Sequence, residues 1–480
     1  MVDYERSAIR QTSQMTLQST PNSTNLEVTQ PISNRTISLH EENNDARSST
    51  KSQSSKEEGP THTNVDDPKD CFQLFITNEI IEEIVKWTNT EIIRKRPNTK
   101  ITATYRATSK EEIWALIGIL TLTAVLKDNH ISAEELFDPS FSSSRYVAVM
   151  TSERFQFLLR CLRMADKSES ADDFAPARNI WELFTNQCRS NYVPGTDLTV
   201  GDQLLSFRGK CPFRVYNPNK DTYGIKFTTI CDASTKYMVD AIPYLGKNTV
   251  TNGLPLGEYY VNELTKTMRG THRNITCDNW FASVPLAKTL LKNPYNLTLV
   301  GSIRSSIKDI PGELKDSSSR PVGSSVFCFD GPLTFLSYKS EQSKMIYLLS
   351  SRSEDAVVNE DDVKPNILKF YDQTKGTVNC FSEMCSFMSC IRKTKRWPTA
   401  VFFGMLNMAF ANCYIMYCMD MLMKEKKTIK SGIFYEEIEP GLDFALDGYA
   451  SRSTNFKPRC SRKYMYYFAK VTQNLFRTSQ

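Results

Sequence analysis

The sequence predicts a mixed α/β protein in which a sheet-forming centre is set between helical flanks and preceded by a disordered arm. Three observations lead there. Apolar residues recur at helical spacing between residues 71 and 192, and short β-branched runs separated by turn residues replace them from residue 198. The stretch up to Lys69 holds one aromatic, Tyr4, among abundant Ser, Thr, Asn, Gln and Glu. With 480 residues there is room for several packed units, since single domains usually hold about 100–200 residues.

The arm, 1–69, lacks the apolar surface needed to offset its chain entropy. In "CFQLFITNEIIEEIVKWTNTEIIRKR" the stripe of Ile80, Ile81, Ile84 and Val85 follows a Thr77-Asn78 start. "TSKEEIWALIGILTLTAVLK" places Ser109 and Glu112 at capping-box spacing before an almost wholly apolar helix, which predicts burial. "SERFQFLLRCLRM" adds a third helix to a region spanning 70–196. The runs "LTVGDQLLSF", "YGIKFTTICDAST" and "KYMVDAIPYLG" then read as a meander of strands. "LPLGEYYVNELTK" (helix), "NITCDNWF" (strand), "SVPLAKTLLK" (helix) and "LTLVGSI" (strand) complete a mixed sheet with flanking helices. "SSVFCFD", "LTFLSYKS" and "KMIYLLSSR" return to strands and read as an inserted sheet.

A net charge of +5 permits a polyanionic partner without requiring one. Thirteen scattered cysteines point to a reducing, intracellular compartment. Cys380, Cys385 and Cys390 are spaced unlike a zinc site, and the four histidines, at 40, 62, 130 and 272, are too dispersed for His-based catalysis. The apolar run "TAVFFGMLNMAFANCYIMYCMDMLM" approaches bilayer length but contains Asn407 and Asn412, which are costly in lipid. It is expected to be a buried core helix, with no membrane partner.

Several stretches together resemble the piggyBac family of DDE-type transposases: "QLLSFRGKCPFRVYNPNKDTYGIKF", "YMVDAIPYLG", "TNGLPLGEYYVNEL", "RNITCDNWFASVPLAKTLL", "RPVGSSVFCFDGPLTFLSYK", "FYDQTKG" and "RKTKRWPTAVFFGMLNMAFANCYIMY". The resemblance runs from about Cys71 to Cys418. It implies a ribonuclease-H-like catalytic core at 197–304 and 366–388, interrupted by a β-rich insertion at 305–365. It further implies an α-helical dimerisation and DNA-binding region assembled from 70–196 and 389–450, ahead of a basic aromatic tail, 451–480. A nuclear location, DNA as partner, and a homodimer or a heteromer with a related transposase are the corresponding expectations.

DDE chemistry needs three carboxylates holding two magnesium ions, one to activate the attacking oxygen and one to stabilise the leaving oxygen. The resemblance puts the first carboxylate at Gly201, the second at Asp278 and the third at Asn379, with a nearby family acid replaced by Ser382. Asp278 is thus the one retained member, and tight metal binding is not expected. The alternative is a rebuilt site of Asp202, Asp278 and Glu383. Asp202 should face away, because successive strand residues alternate, unless a bulge at Gly201 turns it. Glu383 follows Asn379 by one helical turn. A second alternative is a non-catalytic subunit that assembles with an active relative.

For DNA contact the candidates are Arg392, Lys393, Lys395, Arg396 and the adjacent Trp397, together with Arg208, Lys210 and Arg214 of the "FRGKCPFR" turn. The tail interleaves Lys457, Arg459, Arg462 and Lys463 with Tyr464, Tyr466, Tyr467 and Phe468. Family members commonly end in a cysteine-rich zinc module, whereas the last cysteine here, Cys460, stands alone, so no zinc is expected.

Overall fold

The computed structural model describes residues 34–38, 58–61, 67–95, 103–166, 172–218, 221–306, 310–315, 320–352, 364–387 and 389–429. The tail candidates at 457–468 lie outside them. In chain order come strands β1 (Asn34–Ser38) and β2 (Gly59–Pro60), and helices α1 (Pro68–Gln73), α2 (Asn78–Lys95), α3 (Lys110–Leu126), α4 (Ala133–Leu136), α5 (Arg145–Val149), α6 (Ser152–Cys161) and α7 (Ala175–Ser190). The sheet segment follows: β3 (Tyr192–Val193), β4 (Asp197–Ser206), β5 (Arg214–Asn217), β6 (Thr222–Asp232), β7 (Met238–Pro243), α8 (Leu256–Leu264), β8 (Asn274–Cys277), α9 (Val284–Leu291) and β9 (Thr298–Ser302). Then come α10 (Gly312–Lys315), β10 (Ser325–Asp330), β11 (Leu333–Glu341), β12 (Lys344–Ser350), α11 (Asn366–Thr374), α12 (Thr377–Phe387) and α13 (Trp397–Ile429).

Among the described residues, ten strands form one sheet, in the order β1-β10-β11-β12-β9-β8-β4-β6-β5, with β7 also on β6. At its centre β7, β6 and β4 pair antiparallel, and β4, β8 and β9 pair parallel. The long β6 takes β5 along its first residues and β7 along the rest. Two expectations need correction. The inserted strands do not make a sheet of their own, because β12 pairs antiparallel with β9 (Leu348↔Ser302) and extends the central sheet. Nor is the arm wholly without structure, since β1 adds to β10 in parallel register and α1 begins at Pro68. An open strand edge presents unpaired N–H and C=O groups that even a polar segment can satisfy through its backbone.

The helical layer is closed by residues far apart in sequence. Phe72 of α1 stacks on Phe410 of α13, with ring centroids 4.3 Å apart. Within the apolar stretch Trp397–Asp420 of α13, 83% of the most apolar eighteen residues are buried in the fold, so its hydropathy is satisfied by protein. Its two asparagines are also accounted for. Asn412 accepts from the Met238 N–H and donates to the Met238 carbonyl, both at 2.9 Å, acting as a strand neighbour for β7. Asn407 accepts from the Cys390 N–H at 3.0 Å and donates to Ser389.

Ser109 does cap α3, accepting from the Glu112 N–H at 3.3 Å, but Glu112 does not complete a capping box. Its carboxylate instead takes two hydrogen bonds from the buried Arg154 guanidinium (2.9 and 2.6 Å) and one from Thr108. The full box lies at Ser132 and Glu135.

Candidate active site and nucleic-acid interface

The last parallel pair between β4 and β8 is Val200↔Cys277, so Gly201 and Asp278 stand next in register at the carboxyl end of β8. One face of this sheet is covered by α11 and α12. Thr199 donates to the Thr374 carbonyl at 2.9 Å, and the Thr276 and Thr374 hydroxyls share a hydrogen bond of 3.0 Å, docking the end of α11 across β4 and β8. Three residues on, α12 begins and lays Val378 over Gly201. A Cβ at Gly201 would stand 3.1 Å from the Val378 Cβ and 3.2 Å from its Cγ2, tighter than ordinary contact.

Asp278 is exposed, and its Oδ1 accepts from the Trp280 N–H at 2.8 Å. Asn379 and Glu383 stand one turn apart on the exposed side of α12, while Ser382 donates to the Val378 carbonyl. The structure thus brings Gly201, Asp278 and the start of α12 to one end of the sheet. What it does not bring there is Asp202. The β4–β6 register runs unbroken from Leu198↔Asp232 to Ser206↔Gly224, so no bulge turns the strand at Gly201. Asp202 lies on the opposite face, its Oδ2 in an ion pair with Lys226 Nζ (2.7 Å) and its Oδ1 accepting from Thr228 (3.2 Å). The Lys226 ammonium sits over the Trp280 and Tyr244 rings, 4.2 and 4.5 Å from their centroids. Burial raises the Asp202 carboxyl above its ordinary value against the opposing pull of Lys226, and the Asp278 charge adds to the rise.

A magnesium pair does not fit these residues. Gly201 offers no ligand and is covered by Val378, Asn379 is a neutral amide, and Asp202 already has a fixed cation. Among the described residues, no group of three or more His, Cys, Asp or Glu is arranged to hold a metal ion.

The two basic segments meet. Lys210 forms an isolated parallel bridge with Arg396, and a Cβ at Gly209 would be only 2.7 Å from the Lys395 carbonyl oxygen, so glycine permits the approach. Between them opens a cavity of about 320 Å³ whose lining includes Lys210, Lys395, Arg163 and Asp166. Of the candidate residues, Arg396 and Trp397 also line it, whereas Arg392 does not. Arg392 is buried, donates to the carbonyls of Asp128 (3.4 Å) and Ile131 (2.7 Å), and lies over the Phe155 ring. Arg396 donates to the carbonyls of Arg160 (2.7 Å) and Leu162 (2.8 Å), and burial pulls its pKa down to about 10, leaving it charged at neutral pH. Trp397 packs against Phe174 and Phe213, at centroid distances of 5.6 and 5.0 Å. All three take part in packing, Arg396 and Trp397 from the wall of the cavity. Lys393, Lys395, Arg208, Lys210 and Arg214 are exposed. Val378 and Lys226 were missed by the sequence reading. Only the β4–β6 register, which puts Lys226 diagonal to Asp202, and the helix–sheet packing bring them into view.

Comparison with known proteins gives a consistent result. The family described as Transposase IS4 matches residues 67–414. A solved piggyBac transposase, in a synaptic complex with hairpin DNA, is similar at 50% identity and a TM-score of 0.77, covering 88% of this chain and 84% of its own. The human PiggyBac transposable element-derived protein 3 is 21% identical over 374 residues, and a human chimeric ERCC6-PGBD3 protein is 21% identical over the same length. The match covers 72% of this chain but only 60% of the first human protein and 34% of the second.

Proposed function

Since the chain belongs to the Transposase IS4 family, and within it to the piggyBac transposases, we propose that it is a nuclear DNA-binding protein that does not cut DNA. Its family places it in DNA transposition. The order β7-β6-β4-β8-β9, three strands antiparallel and then two parallel, supports the ribonuclease-H-like reading of the core. The observation that carries the loss of cleavage is Gly201: the β4 position in register with Asp278 has no side chain and is packed under Val378. A single carboxylate cannot offset the four positive charges of two magnesium ions.

DNA binding is supported by the exposed cations that converge where Lys210 meets Arg396, and by the solved relative, whose complex contains hairpin DNA. The partner is duplex DNA, held through phosphates. The rebuilt site of Asp202, Asp278 and Glu383 has no support, because Asp202 points to the other face and is tied to Lys226. The test is an assay of the purified chain on a transposon-end duplex with magnesium. Retention of the duplex without nicks or hairpins is expected, and cleavage that vanishes in Asp278→Ala would overturn the reading.

A further inference from the structure

At the open edge of the sheet, beyond the parts covered by helices, two tyrosines stand side by side in solvent. Tyr216 of β5 and Tyr223 of β6 are directly paired in the antiparallel register, 48% and 43% exposed, with ring centroids 4.9 Å apart. The register puts both on the same sheet face as Gly201, since Gly201 pairs Thr229, and Thr229 and Tyr223 share the odd-numbered side of β6. As a cross-strand pair the two rings contribute only about 0.2–1 kcal/mol to the sheet, and nearly half of each residue remains open to solvent.

The surroundings of this pair are basic and ordered. The Arg214 guanidinium lies 4.6 Å from the Tyr223 ring centroid, and the same group donates to the carbonyls of Arg208 (3.1 Å) and Gly209 (2.9 Å). That ties the rings to the turn carrying Lys210, which in turn bridges to Arg396 beside the exposed Lys395. The Tyr216 hydroxyl is held by Asp221 Oδ1 at 2.7 Å, which fixes the ring on the hairpin.

From this juxtaposition, the Tyr216–Tyr223 pair with Arg214 over it, we infer a platform that takes an unpaired nucleobase, with the neighbouring phosphates on Arg208, Lys210 and Lys395. An aromatic face stacks on any base, a guanidinium beside it adds attraction for the π-system and the phosphate, and a base inside an intact duplex is not available to either. The platform rests on the DNA-binding reading above and narrows it to DNA containing an unstacked position.

The experiment compares three probes on the full chain: a fully paired duplex, the same duplex with one bulged 2-aminopurine, and a single strand. The parent should bind the bulged duplex more tightly than the paired one and quench the 2-aminopurine emission. Tyr216→Ala with Tyr223→Ala should lose about tenfold in affinity for the bulged probe and leave the paired duplex unchanged. Tyr216→Phe with Tyr223→Phe, which keeps both rings, should retain the preference and shows that the hairpin remains folded. Equal binding of paired and bulged duplex by the parent overturns the platform while the DNA reading stands. Binding of no probe overturns both. If the alanine pair instead dissociates a dimer and leaves all DNA affinities unchanged, the face is a protein interface and the platform is wrong.

Discussion

The strongest test of the interface separates lysines that face solvent from arginines that serve the fold within one five-residue block. Lys393 and Lys395 are exposed, whereas Arg392 gives its guanidinium to the carbonyls of Asp128 and Ile131. Each cation that neutralises a phosphate contributes about 0.9 to the slope of log affinity against log salt. Lys393→Ala with Lys395→Ala should therefore reduce the slope by about 1.8. Between 50 and 200 mM salt the parent would lose about tenfold more affinity than the variant. Arg392→Met should behave in the opposite way. Charge-assisted hydrogen bonds are worth about 1.5–3 kcal/mol each, and the Ile131 bond at 2.7 Å is the better formed, so about 2–4 kcal/mol of stability should be lost. Its salt slope should not change. Fluorescence anisotropy at four salt concentrations, with a urea melt of each variant, measures both quantities. A slope reduced by Arg392→Met and unaffected by the lysine pair would refute the division of labour drawn from the structure.

Calorimetry of the parent with magnesium should show no tight pair of sites. Gly201→Asp should lower stability by about 1–3 kcal/mol through crowding against Val378, and Val378→Ala should relieve part of the cost, whereas an unchanged melting temperature for Gly201→Asp would count against the packing. Burial works to raise the Glu112 carboxyl, but hydrogen bonds from Arg154 and Thr108 outweigh it and hold the group below its ordinary value of 4.5. That depressed value means Glu112 stabilises the fold above pH 4.5 and loses its contribution as pH falls further. Glu112→Gln should thus be less stable than the parent at neutral pH, by about 3–5 kcal/mol for a broken buried pair, and the gap should narrow in acid; a pH-independent gap in chemical melts would contradict this. Asn412→Leu strands both backbone groups of Met238 and should cost about 2–5 kcal/mol, with the Met238 amide exchanging faster by hydrogen exchange.

Much of the architecture was legible because it is local. Helical stripes, the cap at Ser109 and the β-branched runs each depend on a few neighbouring residues, and the corresponding elements fall where those residues are. The burial of α13 was legible too, since two asparagines in an apolar run are tolerable only where a protein partner satisfies them. Glu112 was misassigned for the same reason that the cap was right. Ser109 needs only its own helix, but the carboxylate had a guanidinium 42 residues away to choose from. Likewise no periodicity distinguishes Lys393 from Arg392; their difference arises from the loop at 128–131, which Arg392 meets across a sequence separation of 261 residues.

The chain's membership in the transposase family, its order of elements and the absence of a carboxylate at Gly201 and Asn379 are written in the sequence, because residue identity alone decides whether a ligand atom exists. Which cations remain exposed, which face Asp202 takes and what fills the space over Gly201 were decided by the tertiary structure. Those properties depend on the register between β4 and β6 and on the seating of α12 against the sheet. Both are set by contacts between residues that are distant in sequence, where local pattern carries no information.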